Sequence, residues 1–141
     1  MNVSDVRRRL KQTITEAKRL ATQRRTARDV AAGDYEQFLD AVAVPVFRFM
    51  LTALKAEGPP FELDTPPGVV RLVPARSSPS FVELSLDVSG VHPVVMGRSS
   101  VRRGRETAQA ERPLRPDTAV SGLTREDVLE FLLESLGPFV A

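Results

Sequence analysis

Four carboxylates in the middle of the chain have the types and spacing that could support acid–base chemistry. Glu62 and Asp64 lie two residues apart and Glu83 and Asp87 lie four apart, so each pair shares one face of a β-strand. Two such pairs could bind a hard cation or exchange protons with a ligand in a pocket between a sheet and helices. Half-exposed strands also place polar residues at these positions, and we favour that structural interpretation.

Other groups that commonly perform catalysis are scarce. His92 is the only histidine, so no pair of histidines can ligate a metal, and a surface or structural role is the simpler interpretation. The chain has no cysteine, which excludes thiolate ligands and cysteine nucleophiles. No serine lies in a nucleophile-elbow sequence, and the glycines form no phosphate loop. We predict no catalytic residue, no cofactor and no metal ligand, and the sequence leans against an enzyme.

Positive charge is concentrated in two segments of a chain whose net charge is only +2. Residues 1–28 hold nine basic and two acidic side chains, and residues 98–115 hold six arginines and two glutamates, so the remainder carries a net charge of −9. Arginine outnumbers lysine seventeen to three, which a compositional bias of the genome explains, but that bias does not explain the clustering. The candidate residues for contact with a partner or a nucleic acid are Arg7, Arg8, Arg9, Lys11, Arg24, Arg25, Arg102, Arg103 and Arg105.

The second basic segment, RSSVRRGRE at residues 98–106, places four arginines around Gly104. Gly104 suits the left-handed position of a short hairpin loop, whose arms contain few apolar residues. No aromatic residue is present in the segment to stack on bases. We favour a solvated hairpin tip over a phosphate-binding site, and we expect the hairpin to project from the sheet or to be partly mobile.

The first basic segment is predicted to be a helix, capped by Ser4, that occupies residues 1–32 and ends at Gly33. A thin heptad-like seam runs along it and needs a cover from the rest of the chain or from another copy. A second helix, residues 34–57, has a strong apolar period that includes Phe49 and is expected to kink near Ala41 because of Pro45. The seam consists of Val3, Val6, Leu10, Thr13, Ala17, Leu20, Arg24, Ala27 and Ala31.

After Pro60 the apolar period changes from helical to alternating. Residues 61–112 are predicted to form an antiparallel meander of four to five strands that includes the basic hairpin, with Pro93 on an edge strand or at a bulge. A proline-punctuated linker from Glu111 leads to a C-terminal helix at residues 123–137. The prediction is a single domain, residues 1–141, of the α+β class.

These observations leave three classes of function open. The leading hypothesis is a small, non-enzymatic cytoplasmic protein that acts by macromolecular contact, as a homo-oligomer, with the first helix as its contact surface. The first alternative is a nucleic-acid-binding protein that uses the basic helix and the arginine-rich hairpin. The second is an enzyme or small-ligand-binding domain that uses the four carboxylates. The longest apolar run, Ala41–Phe47, has seven residues, so we predict no membrane span.

Overall fold

The computed structural model describes residues 1–76 and 78–140. A long helical segment precedes a five-stranded antiparallel sheet, and a final helix follows it, so the predicted α+β class is confirmed. The helices are α1 (Val3–Phe38), α2 (Val44–Glu57) and α3 (Arg125–Val140), with a π-helical turn at Leu39–Ala43 and a 3-10 turn at Val120–Gly122. The strands are β1 (Phe61–Asp64), β2 (Val69–Pro74), β3 (Phe81–Asp87), β4 (Val94–Arg103) and β5 (Glu106–Pro113).

The first helix does not end at Gly33, so the predicted division into helices 1–32 and 34–57 is wrong. α1 continues through Gly33 to Phe38. A glycine inside a helix costs about 1 kcal/mol relative to alanine. The adjacent turns bury Tyr35 and Phe38, and a fully buried large apolar side chain contributes about 1.5–3 kcal/mol. Burial therefore outweighs the cost of the glycine, and residues 3–57 form one continuous helical segment.

The π-helical turn accommodates Pro45. Proline has no N–H, and in a regular helix its ring would collide with the carbonyl group of Ala41. In this turn the Val44 N–H donates to the carbonyl oxygen of Leu39, five residues earlier, which widens the backbone in front of the proline. The kink predicted near Ala41 is present, and it consists of one extra residue in the turn.

The extra residue changes which side chains of α2 face the core. A regular helix would continue the buried stripe of Tyr35 and Phe38 through Phe49 and Ala53. Because the π turn adds one residue, the stripe continues through positions one residue later. Phe49, predicted from the period to be a core residue, is 80% exposed. The buried positions along the π turn and α2 include Ala43, Phe47, Met50 and Leu54.

The sheet is a simple meander in which each strand pairs with the next along the chain. Between β1 and β2, the Val69 N–H donates to the Pro66 carbonyl oxygen at 3.0 Å, and Gly68 has a φ of 72°, as a type II turn requires. Between β4 and β5, Gly104 has a φ of 62° and occupies the predicted left-handed position. The edge strands are β1 and β5.

Two predictions about the later strands are corrected. Pro93 is not on an edge strand, because β4 begins at Val94 and lies between β3 and β5. A proline placed just before a strand removes no ladder hydrogen bond, so an interior strand tolerates it. The tip of the basic hairpin extends beyond β3, as expected, because β3 pairs with β4 only as far as Ser100. The linker does not begin at Glu111, because β5 pairs with β4 from Glu106 to Pro113. The linker accordingly starts after Pro113.

The helices α2 and α3 cover one face of the sheet, α2 against β1 and β2 and α3 against β3 and β4. The side chains between them are fully buried and leave this layer filled. Thr124 caps α3, since its hydroxyl accepts from the Asp127 N–H at 3.3 Å and the Asp127 carboxylate accepts from the Thr124 N–H at 2.9 Å. The largest fully buried side chains are Phe47, Leu72, Leu84, Leu132, Val70, Val82 and Val128.

The helical segment Val3–Glu57 contains an 18-residue window with a mean hydropathy of 1.4, which by length and composition alone could cross a membrane. The sequence alone did not predict this window, because its longest uninterrupted apolar run has seven residues. In this window 28% of the residues are buried within the protein. A helix packed on a sheet has the same composition, and the contrast between buried Phe47 and exposed Arg48 is the amphipathic pattern of such a helix.

Tyr35 links α1 to the sheet by a hydrogen bond. Its replacement by phenylalanine is expected to lower the free energy of unfolding by about 1 kcal/mol. Its hydroxyl donates to the Gly68 carbonyl oxygen at 2.8 Å. Burial, and then the charge of Glu83, raise the pKa of Tyr35 above its ordinary value. The unfolded chain therefore releases this proton first as pH rises, and stability falls above about pH 10.

The measurement is denaturant unfolding at a series of alkaline pH values. Tyr35 is the only tyrosine and the chain has no tryptophan, so tyrosinate absorbance follows this one group. In Tyr35→Phe, the part of the alkaline stability loss that comes from this residue disappears. Ionisation of Tyr35 in the folded protein at the ordinary tyrosine pKa would contradict the prediction.

Candidate functional site

The first part of α1 projects from the body of the protein. Every residue from 3 to 30 is exposed, and burial begins at Ala31. We call residues 3–30 the arm; at 1.5 Å per residue it is about 40 Å long. Asn2, not Ser4 as predicted, caps it, because the Asp5 N–H donates to the Asn2 side-chain oxygen at 2.9 Å. The arm is the part of the described chain that has least contact with its own fold.

The predicted apolar seam lies on the arm without a cover. Val3, Leu10 and Leu20 are 75%, 57% and 40% exposed, whereas the same helix face is buried further on at Ala31 and Tyr35. One continuous stripe is therefore covered by the fold at its C-terminal end and uncovered along the arm. We call its uncovered part the stripe, which consists of Val3, Val6, Leu10, Ile14, Ala17, Leu20, Ala21 and Ala27.

Heptad spacing missed Ile14, which is 45% exposed. A strict alternation of three- and four-residue steps selects Thr13 instead. The ordinary helical period of 3.6 residues places Ile14 beside Leu10 and Ala17, four and three residues away. A helical-wheel projection of the sequence would have found it.

The arm has little intrinsic stability as a helix. Four threonines within it turn their hydroxyls back to carbonyl oxygens four residues earlier, at 2.9–3.0 Å. Threonine is a modest helix former, and such back-bonding slightly destabilises helices. Most helical stability in proteins comes from packing of an apolar face, which the arm lacks on its own. A partner on the stripe would supply it.

The cations of the arm are mostly uncompensated. Arg8 pairs with Asp5 at 3.0 Å, and Arg19 pairs with Glu16. Within residues 1–76 and 78–140, the other seven basic side chains of residues 1–28 form no ion pair, and they include the predicted contact residues Arg7, Arg9, Lys11, Arg24 and Arg25. The arm therefore presents a strong positive potential beside its apolar stripe.

The structure does not bring the arm and the tip of the basic hairpin together. The start of β4, at Val94, lines the same cleft as Ala27 and Ala31 of α1. At the other end of β4, Arg103 donates to the carbonyl oxygen of Pro138 in the last turn of α3. Ten strand residues span about 30 Å, so the arm base and the hairpin tip lie at opposite ends of the sheet.

Arg102 and Arg105, the other two predicted contact residues of the hairpin, lie in or next to its turn. Arg102 donates from its Nε to the Gly104 carbonyl oxygen at 3.2 Å, and Arg105 is exposed in the turn. The predicted solvated tip agrees with these exposures. The sequence showed that the two segments are basic, but their separation follows from the sheet pairing.

The candidate carboxylates lie on the sheet face that points away from the helices. Asp64 and Glu83 flank Arg71, at 3.7 and 3.2 Å, and Glu62 is exposed on the edge strand β1. The hydroxyl and N–H of Ser89 donate to Asp87 and hold its pKa below the ordinary value. The layer between sheet and helices, where a ligand pocket was considered, contains the apolar core instead.

Two of these four carboxylates, Asp64 and Glu83, belong to a row of alternating charge. Its members stand opposite one another on consecutive strands, with a negative residue on β1, β3 and β5 and a positive one on β2 and β4. Glu83, at the centre, is 8% exposed, and Arg98 Nε lies 3.0 Å from Glu111. The geometry is that of a structural ion-pair network. The row consists of Asp64, Arg71, Glu83, Arg98 and Glu111.

His92 is exposed in the turn before β4 and lines an apolar cleft of about 780 Å³ at the base of the arm. Asp34 and Asp117 line the same cleft, and Asp117 has a φ of 53°, a left-handed conformation that aspartate tolerates. Across residues 1–76 and 78–140, no group of three or more histidine and acidic side chains is placed to hold a metal ion.

A second uncovered apolar surface lies between α2 and α3. Phe49 is 80% exposed, and Leu129 and Leu133 are 40% and 59% exposed. They border a groove of about 490 Å³. The apolar period of the second helix predicted Phe49 to be a core residue, because such a period does not show how wide a face the fold covers. The groove is lined by Pro45, Val46, Phe49, Met50, Ala53, Arg125, Glu126, Leu129 and Leu133.

No family model, curated protein or solved structure matches this chain.

Proposed function

We propose that this protein is a non-enzymatic interaction protein that self-associates, with the arm as its contact surface. The observation that carries the proposal is the uncovered stripe. On proteins that fold in water, a large exposed apolar surface commonly marks a site of association with another protein. The stripe also continues a face that the protein already buries against itself at Ala31 and Tyr35.

The continuity of the helix supports association between molecules. Had the chain turned at Gly33, the arm could have folded back on the acidic body of its own molecule. Because α1 runs through Gly33 without a break, the arm points away from that body. Contact between the basic arm and an acidic body then requires a second molecule.

Charge complementarity favours a second copy as the partner. Residues 1–28 carry a net charge of +7, whereas the chain as a whole carries +2, so the rest of the molecule is acidic by five charges. Opposite net charges on two parts of one chain favour and orient the encounter between copies. A self-associating protein has both parts in equal amounts.

The test is analytical ultracentrifugation of the full chain over a concentration series. Wild-type protein is expected to sediment with a multiple of the mass of one chain. Leu10→Asp together with Ile14→Asp places two charges on the stripe, and its dissociation constant is expected to rise at least about 100-fold, because burying unpaired charges costs several kcal/mol.

Gln12→Asp together with Thr15→Asp is the matched control, since it adds the same charge to the same helix away from the stripe. It is expected to keep most of the wild-type association. Helicity by circular dichroism should fall with dissociation in the stripe variant and not in the control. Wild-type protein that stays monomeric at all concentrations contradicts the proposal.

A second candidate function is nucleic-acid binding, which the seven uncompensated cations of residues 1–28 favour. Each phosphate that an arginine or lysine neutralises releases counterions, so affinity based on this surface would fall steeply with salt. The separation of about 30 Å between the arm base and the hairpin means that only an extended duplex could contact both. Gel-shift titrations with duplex DNA and with RNA at two salt concentrations decide the matter, and no shift at low salt excludes this candidate.

A further inference from the structure

We infer that the groove between α2 and α3 is the receiving site for the arm of a second copy. This inference rests on the proposed function and specifies its second surface. The groove and the stripe are the two large uncovered apolar surfaces that the described chain presents on helices. An amphipathic helix that lays its apolar face into such a groove is a common mode of recognition.

The shapes of the two surfaces agree. The stripe alternates larger side chains such as Leu10 and Ile14 with Ala17 and Ala21, and small residues let a helix approach its partner closely. The groove offers Phe49 on one wall and Leu129 and Leu133 on the other. With a length of about 40 Å, the arm exceeds the roughly 24 Å of α3 and can follow the whole groove.

The charges beside the two surfaces are complementary. Glu126 and Glu130 lie one helical turn apart on the exposed face of α3, next to Leu129 and Leu133. Neither glutamate forms an ion pair within residues 1–76 and 78–140. On the arm, Arg7 and Lys11 have the same four-residue spacing and lie beside Leu10 and Ile14. Two cations with this spacing can face two carboxylates with this spacing across a helix pair.

Pairing of one arm with another arm fits these observations less well. Two arms would bring together segments that each carry a net charge of +7. The seam of such a pair would also contain Arg24 and Thr13, and a charged residue in a helical seam lowers its stability. A groove bordered on α3 by Glu126 and Glu130, with Arg125 as the one cation in its lining, lessens the repulsion that two paired arms would have.

Reciprocal exchange of arms gives a closed dimer. If each molecule inserts its arm into the groove of the other, one two-fold axis satisfies both surfaces and leaves none free. The eight stripe residues and nine groove residues then give each molecule 17 interface residues, slightly fewer than the roughly 20–30 per partner of a stable interface of standard size.

The experiment is a charge exchange in the full chain, followed by analytical ultracentrifugation. Glu126→Arg with Glu130→Arg is expected to raise the dissociation constant at least about tenfold, and Arg7→Glu with Lys11→Glu is expected to do the same. Protein with all four substitutions is expected to recover association to within about threefold of the wild type. Circular dichroism and thermal unfolding confirm that each variant is folded.

The outcomes separate this inference from the proposed function. Recovery in the fourfold variant supports the groove as the receiving site. If the glutamate variant associates like the wild type while Leu10→Asp with Ile14→Asp dissociates, the arm contacts another surface and the groove inference is overturned. If neither the stripe variant nor the charge variants alter the assembly, both proposals fail.

Discussion

Replacement of Phe47 by alanine is expected to lower the free energy of unfolding by about 3–5 kcal/mol. Phe47 has no exposed surface and lies at the centre of the layer between α2 and the sheet. Its removal leaves a cavity that the surrounding strands cannot close without distortion, so the loss includes both the transfer of the side chain and the cavity. Chemical denaturation followed by circular dichroism measures the change.

Phe49→Ala is the matched control in the same helix. Phe49 is 80% exposed in the single molecule, so in the dissociated Leu10→Asp, Ile14→Asp background, where no arm covers the groove, its removal is expected to change the free energy of unfolding by less than about 0.5 kcal/mol. The comparison tests the π-helical turn directly, because an uninterrupted helix would bury Phe49 instead. A larger loss for Phe49→Ala than for Phe47→Ala would show that the phase of α2 is different from the one described.

The second large effect is expected at Gly97. A Cβ atom added at Gly97 would lie 2.3 Å from Cε1 of Phe131, 2.7 Å from Cζ and 2.8 Å from Cδ1. Phe131 is buried against β4 in the core, so its ring can move only by displacing other core side chains. Gly97→Ala is expected to lower the free energy of unfolding by about 2–3 kcal/mol through this overpacking.

Two further variants show whether the overlap is the cause. Gly97→Ala combined with Phe131→Leu removes the ring, so the two losses are expected to sum to more than the loss in the double variant. Gly33→Ala makes the same change inside α1, where no atom of the described residues lies within 4 Å of the added carbon. It is expected to stabilise the protein by about 1 kcal/mol. Additive losses at Gly97 and Phe131 would contradict the explanation.

Local sequence signals predicted the element types and the α+β class. The change from helical to alternating periodicity after Pro60, the turn at Pro67 and Gly68, and the cap at Thr124 each rest on interactions within a few residues. Local signals were misleading where tertiary burial competes with them. Gly33 favours a helix end on its own, but burial of Tyr35 two residues later keeps the helix intact.

The sequence did not predict which part of the apolar face of each helix is covered by the fold. The period of α2 is the same whether Phe47 or Phe49 faces the core, and only the extra residue of the π turn decides between them. For the arm, the sequence indicated a thin seam that needs a partner. It did not show that the fold covers the stripe from Ala31 onward and leaves it uncovered before that residue.

The sequence also did not predict which charged residues, far apart along the chain, lie next to one another in the sheet. Asp64, Glu83 and Glu111 are far apart along the chain, and the registers of four strand pairs bring them into one row. Each register depends on the sum of many cross-strand contacts and turn geometries. The same pairing separates the hairpin from the arm, although both are basic.

The row of five alternating charges has a negative residue at each of its two ends, on the two edge strands of the sheet. Asp64 lies on one outer strand and Glu111 on the other, so two molecules that approached edge to edge in this register would bring carboxylates together. Repulsion there discourages the growth of a continuous sheet from molecule to molecule, which exposed edge strands otherwise invite. Fibril-like polymerisation through the sheet edges is thereby disfavoured.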